Sequence, residues 1–140
     1  MAQNRAVFFD RDGVLNRTNV RGGRAYAPMA LDDFEVLSGA VEAVVRCRAA
    51  GFLAIVITNQ PELASGDLSH ATLDSMHDVL RKQLAVDAIY VCQHRDSDQC
   101  VCRKPLPGML FQAAEEWDLD LSRSFLIGDR WRDIDAGRSA

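Results

Sequence analysis

No stretch of this 140-residue chain holds the roughly 20 consecutive apolar residues that a membrane-spanning helix needs. No hydrophobic signal core follows the early Arg5, because the apolar run at residues 7–9 is too short for one. The expectation is a cytoplasmic protein with no membrane partner. Long basic blocks are missing too. With 16 Lys and Arg against 20 Asp and Glu the net charge is −4, a balance that does not suit nucleic acid as a partner. Repeats, low-complexity tracts and interdomain linkers are absent, so residues 1–140 read as one domain. Cysteines number only four, and a cytosolic setting argues against a disulfide framework. Three of them fall between residues 92 and 102, and that clustering points to metal instead.

What is present is ample core material, with hydrophobic residues at 48%. Apolar, β-prone runs recur at residues 6–9, 52–57, 88–91 and 124–127. Helical patterns lie between them. Residues 40–50 place Val41, Val44, Val45 and Ala49 on one side, with Gly51 as a stop. Ser69 is placed to cap a helix carrying Leu73, Met76, Val79, Leu80 and Leu84. Pro107 stands where a further helix would begin, ahead of Met109, Leu110, Ala113, Ala114 and Trp117. His70 and His77 are expected on a helix surface, and Cys47 reads as a small core residue. Alternating strands and helices predict an α/β fold: a mainly parallel sheet between helical layers. Ligands of such sheets bind at the carboxyl ends of the strands. The long stretch 16–33, with Gly22, Gly23 and Pro28, is expected to be irregular, and a loop of that length in a compact domain is more often functional than idle.

The chemistry gathers at the strand ends. The first strand runs into Asp10-Arg11-Asp12-Gly13. Alternation along a strand puts Asp10 and Asp12 on the same side. Two neighbouring carboxylates repel, and each raises the other's pKa unless a cation lies between them. Solvated turn carboxylates are the plain alternative. Thr58-Asn59-Gln60 follows the second long strand and offers hydrogen-bond donors for an anion beside Asp10; a capped turn is the rival reading. Gly128-Asp129, with Asp133 four residues on, follows the last strand. Three carboxylates from two strands make a hard-oxygen site suited to Mg²⁺. Lys104 brings a cation for a phosphate, and Arg103 beside it a bidentate grip.

The ordered set Asp-x-Asp-Gly-Val-Leu, strand-Thr-Asn, isolated Lys and Gly-Asp-x-x-x-Asp resembles the haloacid dehalogenase-like (HAD) superfamily, over nearly the whole chain. The resemblance implies a three-layer, Rossmann-like fold without a cap domain and a Mg²⁺-dependent phosphomonoesterase. It makes Asp10 the nucleophile that carries an aspartyl-phosphate and Asp12 the general acid and base. Mg²⁺ would be held by Asp10, the Asp12 backbone carbonyl and Asp129, with Asp133 behind them. Thr58 and Lys104 would hold the phosphoryl oxygens, and Asn59, Gln60 and Arg103 the substrate.

Cys92-x-His94 and Cys100-x-Cys102 form two close ligand pairs. Three thiolates and one imidazole fill a tetrahedral Zn²⁺ shell and leave no open position, so the metal is expected to be structural. With the following Arg103-Lys104-Pro105, this cluster is similar to the capless HAD group that holds heptose 1,7-bisphosphate and histidinol-phosphate phosphatases. A small phosphorylated sugar is the expected substrate and histidinol phosphate the alternative; a zinc-stapled binding module is the non-enzymatic rival. Members of the group usually carry Ser-Gly where this chain has Pro61-Glu62, and they lack Arg17, Arg21 and Arg24. They also usually continue beyond the motif at 128–133, so a shortened sheet edge is expected. A monomer is expected.

Overall fold

The computed structural model describes residues 3–94 and 100–140. Four parallel strands form one sheet, β1 (Ala6–Asp10), β4 (Leu53–Asn59), β5 (Ala88–Cys92) and β6 (Phe125–Ile127), in the order β5-β4-β1-β6. Strand alternation splits the core in two. Val7, Phe9, Ala54 and Val56 face α1 (Ser38–Ala49) and α3 (His70–Gln83), where Val44, Met76 and Leu80 complete one cluster. Phe8, Ile55 and Ile57 face the other way, toward Met109, Leu110 and Ala113 of α4 (Gly108–Trp117) and Ala136 of α5 (Trp131–Ser139). The central strands are covered on both faces: Ile55 and Ile57 are 0% exposed, and burial of each contributes roughly 2–3 kcal/mol. This is the expected α/β arrangement.

Local chemistry sets the helix ends. The Ser69 hydroxyl accepts the Thr72 N–H at 3.1 Å, capping α3 as its sequence position predicts. Pro107 precedes the first residue of α4. A one-turn helix, α2 (Glu62–Ser65), follows β4 directly.

Residues 16–33 differ from the irregular loop expected. They contain a hairpin, β2 (Asn19–Arg21) against β3 (Arg24–Tyr26), and a short 3-10 turn at Leu31–Asp33. Gly22 and Gly23 both take positive φ, +57° and +76°. That is the two-residue hairpin turn whose twist matches its strands. His77 differs as well: it is buried, 4% exposed, not on the surface.

Register decides what reaches the site. Asp10 pairs with Ile57, Asn59 with Cys92, and Phe9 with Ile127. The residues ending β1, β4, β5 and β6 therefore come out along one edge of the sheet.

Candidate active site

Asp10, the last residue of β1, is 7% exposed. Its Oδ1 accepts the Lys104 Nζ–H at 2.8 Å and the Arg11 N–H at 2.9 Å. The same Lys104 ammonium donates to Asp133 Oδ1, a very short contact. Carboxylate oxygens of Asp10, Asp129 and Asp133 lie within 4.8 Å of one another. Two glycines make this approach possible. A Cβ on Gly13, whose φ is +86°, would overlap the Asp129 carboxylate, and a Cβ on Gly128 would overlap the Asp133 side chain. Burial pushes the Asp10 carboxyl up to about 7 against the pull of Lys104, with Asp133 and Asp12 adding to the rise. One ammonium does not balance three acids. The donor set is all oxygen and compact enough for one octahedral ion, so it fits Mg²⁺.

Asp12 is held from three sides. Its Oδ1 accepts Arg11 Nη2–H at 2.7 Å and Asn16 Nδ2–H at 3.0 Å, and its Oδ2 accepts Gln60 Nε2–H at 2.8 Å. Gln60 also donates to Thr58 Oγ1 at 2.8 Å. Gln60 and Thr58 are both 0% exposed. Gln60 therefore does not take the substrate contact expected of it; the pleat turns it inward, and it braces Asp12. Asn59 lines the cavity but spends its amide on the Lys104 peptide, accepting the Lys104 N–H at 3.1 Å and donating to the Lys104 carbonyl at 3.3 Å.

Sequence reading passed over Arg11 and misplaced His77. The Arg11 side chain is fully buried; its guanidinium holds Asp12, reaches His77 Nε2 at 3.2 Å and lies over the Phe34 ring at 5.3 Å. His77 accepts from an always-charged group and is neutral, its pKa lowered to about 4 by burial, with Arg11 and Arg81 adding. The signal was available: Leu73, Met76, His77 and Leu80 fall at i, i+3, i+4 and i+7, one buried stripe of α3.

A cavity of about 220 Å³ opens above these groups. Asp10, Asp12, Lys104 and Asp133 line its floor. Glu62, Arg103, Arg24 of the hairpin, Arg130 just before α5 and Arg132 within it border the same cavity. Arg130 donates to the Ala25 carbonyl at 3.4 Å, tying the hairpin across to the start of α5. Arg132 donates to the Lys104 carbonyl at 3.2 Å. Arg17 and Arg21 turn elsewhere, to Glu35 and to the Tyr26 ring.

The expected zinc ligands converge at the end of β5. Sulfur and nitrogen atoms of Cys92, His94, Cys100 and Cys102 lie within 4.8 Å of one another. Cys92 Sγ is 3.6 Å from Cys100 Sγ and 3.7 Å from His94 Nδ1, close to the edges of a tetrahedron with Zn–S bonds of about 2.3 Å. Cys92 Sγ and Cys102 Sγ stand closer, at 2.6 Å. The set fits Zn²⁺ once an ion spreads that pair. Residues 95–99, the middle of this loop, lie outside the described residues.

Residues 6–138 match the model of the haloacid dehalogenase-like hydrolases. The chain belongs to that family. The D-glycero-beta-D-manno-heptose-1,7-bisphosphate 7-phosphatase of Bordetella bronchiseptica is 37% identical over 139 residues, 96% of this chain and 75% of that protein. The enzyme of the same name from Helicobacter pylori is 34% identical, over 98% of this chain and 79% of its own. The crystal structure of the Bordetella D,D-heptose 1,7-bisphosphate phosphatase, complexed with magnesium and phosphate, superposes with a TM-score of 0.85 at 36% identity, covering 96% of this chain and 75% of that one. The Burkholderia thailandensis enzyme gives 0.67 at 28% identity, over 97% and 73%. Among the described residues no helix is long and apolar enough to cross a membrane.

Proposed function

We propose that this HAD hydrolase is a phosphomonoesterase that removes one phosphate from a small sugar bisphosphate, D-glycero-β-D-manno-heptose 1,7-bisphosphate, at C7. The observation that carries the reading is the Lys104 ammonium held between Asp10 and Asp133 beside Asp129, beneath an arginine-bordered cavity. A dianionic ester entering there meets fixed positive charge, and the borders at Arg24, Arg103, Arg130 and Arg132 suit a second phosphate. The names of the relatives point to the same substrate.

Asp10 Oδ1 is occupied by Lys104 and Arg11, so Oδ2 is the oxygen left for phosphorus. In the first step Oδ2 forms a bond to phosphorus while the bond from phosphorus to the sugar oxygen breaks. Asp12 gives its proton to the departing oxygen. In the second step water attacks the aspartyl-phosphate, Asp12 takes the water's proton, and the bond from phosphorus to Asp10 breaks, releasing phosphate. Gln60 and Asn16 hold Asp12 in place for both transfers. Lys104 binds phosphoryl oxygens as charge spreads over them. Thr58, buried and taking the Gln60 hydrogen bond, does not line the cavity and braces the end of β4 instead of holding the phosphate as its position in the sequence suggested. Asp10, Asp129 and the Asp12 backbone carbonyl would hold Mg²⁺, which would supply the further positive charge that an anionic nucleophile and an anionic ester need. Cys92, His94, Cys100 and Cys102 would hold a structural Zn²⁺, which would tie the end of β5 to the segment that carries Arg103 and Lys104.

The test is phosphate release from a panel containing heptose 1,7-bisphosphate and histidinol phosphate, with and without Mg²⁺. Mg²⁺-dependent release that favours the bisphosphate is expected; release without added metal, or none at all, overturns the reading.

A further inference from the structure

One pocket group has no task in the mechanism above. Glu62 lines the cavity at the start of α2. Its Oε2 is sealed from solvent and has no hydrogen-bond partner among the described residues. Burial raises the Glu62 pKa; its own backbone N–H opposes the rise, as do Arg11 and Arg103, and Asp12 adds to it. A buried acceptor left unpaired is costly, so it normally marks a place where a partner arrives.

Position narrows what that partner is. Glu62 lines the same cavity as Asp12 and Arg103. Asp12 serves the ester oxygen. A group beside Asp12 therefore faces the first atoms of the leaving alcohol, not the phosphoryl group. A carboxylate oxygen there takes a donor, and a phosphate ester offers one nearest the reaction as a hydroxyl or ammonium on the carbon next to the phosphorylated carbon. The surroundings choose between these two. Arg24, Arg103, Arg130 and Arg132 border the same cavity, and their field disfavours a second cation in the substrate.

We propose that Glu62 accepts a hydrogen bond from a hydroxyl on the carbon adjacent to the phosphorylated carbon, and so sets which phosphate esters this pocket selects. The proposal rests on the phosphatase reading above and specifies its leaving group. In a heptose 1,7-bisphosphate cleaved at C7 the donor is the C6 hydroxyl.

The experiment compares kcat/KM for heptose 1,7-bisphosphate, its 6-deoxy analogue and its 6-amino-6-deoxy analogue, using the Mg²⁺-loaded full chain. Wild type is expected to favour the hydroxyl ester over the deoxy ester by about 10–100-fold, the range of a hydrogen bond to a charged group. The amino ester should rank below the hydroxyl ester. Glu62→Ala should bring that preference to about unity, with no fall in melting temperature. Glu62→Gln, which keeps a carbonyl acceptor, should retain most of the preference. A preference that survives in Glu62→Ala, an equal loss on both esters, or an amino ester that ranks first overturns the proposal while leaving the phosphatase reading intact. Wild type that releases phosphate from none of the three overturns both.

Discussion

Two clusters of potential metal ligands stand at neighbouring strand ends, and they are built on opposite principles. Asp10 and Asp133 share one ammonium and line a cavity, with the Asp129 carboxylate beside them. Cys92, His94, Cys100 and Cys102 supply four ligand atoms and face one another. In the first cluster the charges do not balance, and burial holds the Asp10 carboxyl near 7. In the second, burial raises the thiols of Cys92 and Cys102, so they hold their protons until a metal replaces them. The first arrangement is unfinished toward the substrate and the second is closed upon itself. An open, unbalanced site does chemistry; a filled shell secures the chain.

The sharpest way to separate the clusters is to disable each. Asp10→Asn should lower turnover by about 10⁴-fold or more, since no other group here can take the phosphoryl bond. Far-UV circular dichroism and melting temperature should hold, because the amide keeps an acceptor for Lys104. Cys92→Ser should do the reverse, losing zinc on elemental analysis and about 10 °C of melting temperature through the folded loop. Retained zinc with full stability would show that the thiol cluster is not structural. Mild chelation should divide the metals: turnover stops and returns with Mg²⁺, while the melting curve does not move.

A smaller effect tests the braces around the acid. Gln60→Leu leaves Asp12 Oδ2 and Thr58 Oγ1 without their shared donor. kcat should fall by about 10–100-fold with KM nearly constant, as for a group that positions a proton-transfer residue. A change in KM alone would return Gln60 to the role of substrate contact. The smallest effect is on acid stability. His77 has a folded pKa near 4 against an ordinary value of 6.5. Its contribution is complete above pH 6.5 and is lost as pH falls toward 4, because the unfolded chain takes up a proton that the folded chain refuses. The loss reaches about 3 kcal/mol at most. Urea titrations between pH 7 and pH 4 should show a flatter decline for His77→Gln than for wild type.

Much of this was legible before any coordinates. Apolar runs that end in Asp10, Thr58, Cys92 and Asp129 announce a parallel sheet whose strands all finish on one edge, since β-strand period and helix period are written directly in the spacing. The ligand pairs of the thiol cluster were legible for the same reason: close spacing forces proximity. What spacing does not reveal is which way a side chain turns at the end of a strand. Gln60 looks like a donor for substrate and is instead folded under Asp12. Arg11 looks like a spacer between two acids and is the most deeply buried large side chain of the site. Glu62 looks like a helix-start acid, and only burial exposes its unmet oxygen. The hairpin at 19–26 depended on two adjacent glycines with positive φ, a turn signal masked by its polar flanks.

The double hydrogen bond between the Asn59 amide and the Lys104 peptide couples two parts of the chain that are 45 residues apart. One carboxamide reads both the N–H and the C=O of that residue, in two successive peptide units, which no aliphatic or carboxylate side chain can do. Evolutionary drift at position 59 would loosen the loop that carries the essential cation, and drift in that loop would strand the amide. A carboxamide at 59 is therefore as much a part of the phosphate grip as the ammonium whose main chain it anchors.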